Sequence, residues 1–149
     1  MVFLRTGAFI MSENYSGGCL CGAVRFEARG APLFAGNCHC RDCQKATGSG
    51  YMPVMGFPVQ AVTISGEVRY FERIADSGKR ADEGFCPACG ARLFAHAEEL
   101  ANMVLVQASA LDEPARFVPQ LDMYTASAQP WDVMDPKLPK FERMPPMGD

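Results

Sequence analysis

Apolar and polar residues alternate over short stretches along most of the chain. Val24, Phe26 and Ala28 alternate with Arg25, Glu27 and Arg29, the period-two pattern of a half-buried strand. The same reading predicts strands over 51–57, 59–64, 67–74, 91–97, 103–108 and 116–120, with Ser65-Gly66 and Asp76-Ser77-Gly78 as turns. Pro53 marks its strand as an edge or bulged one, because proline has no N–H for a ladder. One short helix is expected, Arg41–Thr47, stopped by Gly48. No long amphipathic helix and no repeat is present, so the fold class is mainly β, with antiparallel strands. From residue 111 onward prolines punctuate the sequence. Trp131, Leu138 and Phe141 are the apolar anchors expected to hold this tail over the sheet.

Composition narrows the possibilities. A chain of 149 residues with 48% hydrophobic and 21% charged positions fits one ordinary folded domain. Its apolar runs fall short of the ~20 residues of a membrane span, and a net charge of −3 offers no basic surface for nucleic acid. The expected division is a flexible segment 1–14 and a single domain over 15–146, with Met144 to Asp149 fraying. Met1 to Ile10 lacks the basic leader of an export signal, and Met11 reads as a natural start.

The seven cysteines change the picture most. A chain this long buries about 70% of its unfolded surface and needs no staples. An odd number of thiols also suits a reducing compartment, the cytoplasm, better than a disulfide framework. They fall into three clusters: Cys19 and Cys21, then Cys38, Cys40 and Cys43, then Cys86 and Cys89. The outer pairs resemble each other, since each is a short turn followed by glycine (Gly22, Gly90) and an alternating strand. Such a knuckle turns backbone N–H groups toward sulfur and often requires positive φ at the glycine. Two knuckles together give four thiolates for a structural Zn²⁺, with iron–sulfur or disulfide pairing as the alternatives. The middle triplet has three thiols and no obvious local fourth ligand. Either it holds an open, exchangeable zinc of the catalytic kind, or His39, His96 or a carboxylate completes it, or it binds nothing at rest. Three thiolates leave zinc formally at −1, so a bound water is poorly acidified, and a thiol substrate suits the site better than an ester.

The stretches Gly18-Cys19-Leu20-Cys21-Gly22-Ala23-Val24-Arg25-Phe26, Cys38-His39-Cys40-Arg41-Asp42-Cys43-Gln44-Lys45 and Phe85-Cys86-Pro87-Ala88-Cys89-Gly90 resemble the glutathione-dependent formaldehyde-activating enzyme family, whose domain centromere protein V-like proteins share. The resemblance covers roughly 15–146. It implies a small β-tent zinc-binding fold, with one zinc held by Cys19, Cys21, Cys86 and Cys89 and a second, catalytic zinc held by Cys38, Cys40 and Cys43. The implied activity is that of a carbon–sulfur lyase, joining glutathione and formaldehyde as S-hydroxymethylglutathione. A different small electrophile, or a non-catalytic zinc module that mediates protein interaction, are the competing readings.

Glutathione carries two carboxylates, so cations are expected near the triplet. Arg41 and Lys45 are the nearest candidates by sequence, although both also suit an exposed helix surface. Arg25 and Arg92 follow the knuckles and are expected to be exposed strand residues. His39 is expected to make a hydrogen bond beside the site, Asp42 to cap the helix, and Ser49 and Tyr51 to line a pocket.

Overall fold

A computed structural model describes residues 13–146. The expected flexible segment 1–14 lies, except for its last two residues, outside the described residues, as do 147–149 of the expected fraying end. Among the described residues, ten strands and one α-helix follow in order: β1 (Tyr15–Gly18), β2 (Arg25–Ala28), β3 (Phe34–Cys38), α1 (Arg41–Thr47), β4 (Met52–Pro58), β5 (Val62–Ser65), β6 (Arg69–Ile74), β7 (Arg80–Phe85), β8 (Arg92–Ala97), β9 (Met103–Gln107) and β10 (Asp122–Met123). They form a three-stranded sheet, β1-β2-β5, and a seven-stranded sheet, β10-β3-β4-β9-β8-β7-β6. All pairs are antiparallel except the short β10–β3 contact.

The central strands of the large sheet are buried on both faces, edge strand β6 being exposed, and strand alternation divides the apolar residues between two clusters. On one face, Met55 and Phe57 of β4, Val104 and Val106 of β9 and Phe94 of β8 pack against Val24, Phe26 and Ala28 from the region of β2. Phe26 meets Phe94 edge-on at 5.4 Å, an arrangement that suits the aromatic quadrupoles. On the other face, Met52 and Val54 of β4 and Met103 of β9 join Phe34, Cys38, Cys43 and Met123. The second face is therefore an apolar layer into which two cysteines are built.

Several local expectations need correction. Residues 59–61 form a 3-10 turn after Pro58, and the strand begins only at Val62. The strand expected over 116–120 is absent: Pro114–Arg116 is a 3-10 turn, and Gln120 N–H bonds to Ala35 carbonyl instead of entering a ladder. β4 is not an edge strand. Pro53 pairs with Asn37 but lies one residue beyond the β4 segment paired with β9, so it has a single strand neighbour there. Trp131 is 67% exposed, with its ring against Gly50, so it is no core anchor.

Two candidate metal centres

The outer cysteine pairs sit where the two sheets meet. Cys19 and Cys21 follow β1 of the small sheet, and Cys86 and Cys89 lie in the β7–β8 connection of the large one. Both turns close alike, with Cys19 N–H bonding to Val24 carbonyl and Cys86 N–H to Ala91 carbonyl. Gly22 and Gly90 have φ of 82° and 77°, the left-handed region anticipated for the knuckles. Val24 N–H points to Cys19 Sγ at 3.2 Å. Four sulfurs ~2.3 Å from a tetrahedral ion stand about 3.8 Å apart. Here Cys19 and Cys21 are 3.6 Å apart and Cys21 and Cys86 are 3.8 Å apart, and all four sulfurs lie within 4.8 Å of one another. The quartet is placed to hold a metal ion. Burial pushes the Cys19 thiol up, but the Val24 N–H and the neighbouring thiols outweigh it and bring the group down to about 6.

Cys38, Cys40 and Cys43 form a second group whose sulfurs also lie within 4.8 Å of one another. Cys38 ends β3, Cys40 is the N-cap of α1, and Cys43 is in its first turn. Cys40 Sγ accepts the Cys43 N–H at 3.3 Å, so the ligand geometry and the helix start are one feature. This cap displaces Asp42 from its expected role; Asp42 pairs with Arg73 at 3.1 Å. Hydrogen bonds from the Cys38 and Cys43 thiols, helped by the Cys43 N–H, hold Cys40 far below the ordinary thiol range. The same contacts push Cys38 up to about 12 and Cys43 well above its usual value.

Among the described residues no histidine, carboxylate or further cysteine joins the trio. His39, between two of its members, is buried with both ring nitrogens engaged: Nδ1 meets Asp132 at 2.8 Å and Nε2 meets Asp122 at 3.1 Å. Neither nitrogen is left for a metal. His96, in β8, packs against Tyr70 of β6.

The trio lines a recess of about 110 Å³ whose wall includes Phe34, Met52, Val54, Leu105 and Met123. Arg73, Glu83 and Arg92 line it as well. Arg73 Nε meets Glu83 at 2.7 Å, and Arg92 Nη2 contacts the other oxygen of the same carboxylate. Asp42, Asp76 and Glu99 also line the recess, so the two guanidinium groups stand beside the thiols among four carboxylates, with Arg73 shared between Glu83 and Asp42. The Arg92 side chain is only 8% exposed, contrary to the exposed position expected. Burial lowers its pKa, opposed by the negative charge of the cysteines. Strand alternation hid this residue. Between Gly84/Phe85 and their partners Phe94/Arg92, β8 carries one extra residue, Leu93, and this bulge brings Arg92 onto the face of Glu83 and Ala95.

An open groove of about 480 Å³ adjoins the recess and shares Cys40, Asp42 and Tyr124 with it. Arg41 lines this groove and bonds to Gln44 Oε1. Lys45 is exposed and lines neither space. Tyr51 stacks near His39 at 5.3 Å, and Ser49 is exposed; neither lines these two spaces.

These features define a cysteine-rich β domain with one four-thiol and one three-thiol centre, each able to hold a metal ion. The sequence profile of the glutathione-dependent formaldehyde-activating enzyme family matches residues 14–127, and the chain belongs to that family. No curated protein matches the sequence. Among solved structures, a Rhodobacter sphaeroides protein matches with a TM-score of 0.54 at 18% identity, over 84% of this chain and 98% of its own, a likeness of fold alone.

Proposed function

We propose that the protein is a zinc-dependent carbon–sulfur lyase that joins glutathione, or a similar thiol, to formaldehyde or a related small aldehyde. The observation that carries this reading is the contrast between the centres. The quartet uses four protein sulfurs, whereas the trio stands in a recess and no fourth protein ligand joins it among the described residues. In this reading Cys19, Cys21, Cys86 and Cys89 hold a structural zinc, and Cys38, Cys40 and Cys43 hold an exchangeable one. Zinc bound at the trio supplies a Lewis acid that favours the thiolate form of an incoming thiol or polarises an aldehyde oxygen.

The chain's own residues do the rest. Arg73 and Arg92, sharing Glu83, favour negative charge at sulfur beside the trio. The apolar wall excludes water and strengthens those electrostatic effects. Arg41, in the outer groove, meets a carboxylate of the tripeptide; Lys45, exposed on the same helix, adds long-range attraction. Holding thiol and aldehyde together removes the entropy cost of their encounter. Seven free thiols suit a reducing cytoplasm.

The test is NMR exchange between glutathione, formaldehyde and their adduct, with and without the zinc-replete protein. Faster exchange that disappears in Cys43→Ser is the expected result. Exchange no faster than in buffer rejects the enzymatic reading in favour of a non-catalytic zinc module.

A further inference from the structure

The recess over the trio has a composition and size that glutathione and formaldehyde do not account for. A dry cavity of about 150 Å³ accommodates benzene, so a recess of about 110 Å³ holds about four heavy atoms. A tripeptide is far too large for it and has to lie in the outer groove, with only its sulfur reaching Cys40. Formaldehyde, with two heavy atoms, leaves about half of the recess empty. Phe34, Met52, Val54, Leu105 and Met123 give that space apolar surface against which an alkyl group can pack.

Charged side chains share this lining, Arg73 and Arg92 with Asp42, Asp76, Glu83 and Glu99. Glu83 engages both guanidinium groups and Asp42 meets Arg73, so these charges are taken up by one another and a neutral ligand suits the recess better than a charged one.

We propose that the electrophile of this site is a short-chain aliphatic aldehyde of about three to five carbons, its alkyl group in the recess. The proposal rests on the reading of the trio as a thiol–aldehyde site. In the step itself the thiol sulfur bonds to the carbonyl carbon, the π pair moves to oxygen, and the thiol proton ends on that oxygen. The product is a hemithioacetal, and no oxidant or reductant is consumed.

The experiment compares glutathione exchange with formaldehyde, ethanal and butanal on the full zinc-replete chain. Each buried methylene is worth about fourfold, so acceleration over buffer is expected to rise roughly 15-fold from ethanal to butanal. Filling the recess with Val54→Phe is expected to flatten this chain-length dependence. Independently of turnover, butanal without thiol is expected to shift the NMR methyl signals of Met52 and Met123. Acceleration confined to formaldehyde, with unshifted methyls, overturns the proposal and leaves the thiol–aldehyde reading standing. No acceleration with any aldehyde overturns both.

Discussion

His39 Nδ1 lies 2.8 Å from Asp132 Oδ2, a residue 93 positions further along the chain. Because Asp122 meets the other ring nitrogen and itself pairs with Lys140 at 2.9 Å, one buried imidazole ties the cysteine-bearing β3–α1 loop to the proline-rich tail. Removing one partner from a buried ionic cluster leaves the others uncompensated. His39→Leu is therefore expected to lower stability by about 3 kcal/mol, and Asp132→Asn, which keeps a hydrogen-bonding group, by about 1 kcal/mol. Urea unfolding of the three proteins measures both differences.

The two centres are expected to respond differently to loss of a ligand. Structural zinc contributes about 10–16 kcal/mol, comparable with the ~5–15 kcal/mol that holds a domain folded. Cys89→Ser is therefore expected to unfold the chain, whereas Cys43→Ser retains the fold and loses one equivalent of zinc. Circular dichroism melts with metal counting check this, and equal destabilisation by the two substitutions contradicts it.

Gly66 and Gly22 both have positive φ but differ in their surroundings. A Cβ on Gly66 stands 2.1 Å from the Ala23 carbonyl oxygen, inside the first knuckle, while one on Gly22 meets nothing within 4 Å. Gly22→Ala is expected to cost about 1 kcal/mol, the left-handed backbone penalty. Gly66→Ala adds displacement of the knuckle and is expected to cost more than about 2 kcal/mol, with weaker zinc retention at the quartet. Parallel melts and chelator challenge compare the two.

Acid sensitivity has a local contribution from Asp112. Its hydrogen bonds from Arg25 and then Ser16 lower its pKa from 3.8 to about 2. A carboxylate depressed in the folded state stabilises fully above its unfolded pKa, so the contribution is present above about pH 4 and is lost as pH falls through 2. The pair is exposed, with side chains 47% and 43% accessible, which keeps its worth below about 1 kcal/mol. Wild type and Asp112→Asn are expected to differ slightly at pH 6 and to converge near pH 2 in urea titrations.

Local chemistry made parts of this molecule readable. The helix 41–47 and its Gly48 stop are found as expected, because a cap glycine at φ 71° acts through its immediate neighbours. The knuckle glycines and the three cysteine clusters were visible for the same reason. Elements held together by distant contacts were not. β3 reads Phe-Ala-Gly-Asn-Cys, a weak strand sequence that forms because β4 and β10 flank it. β7 buries Glu83, an inward acid that obscures the alternation and is tolerated only because Arg73 and Arg92 meet it. Arg92 itself was misplaced because alternation assumes an unbroken ladder, and one extra residue reverses its face.

The seam between the two sheets also sets a schedule. A ribosome exposes Cys21 65 residues before Cys86, which at ~5–20 residues per second is a wait of about 3 to 13 s. During that interval the first knuckle has no partners to complete its ion, and its thiols are open to oxidation or to capture by other metals. The nascent chain thus depends on the surrounding thiol buffer before it can depend on its own architecture.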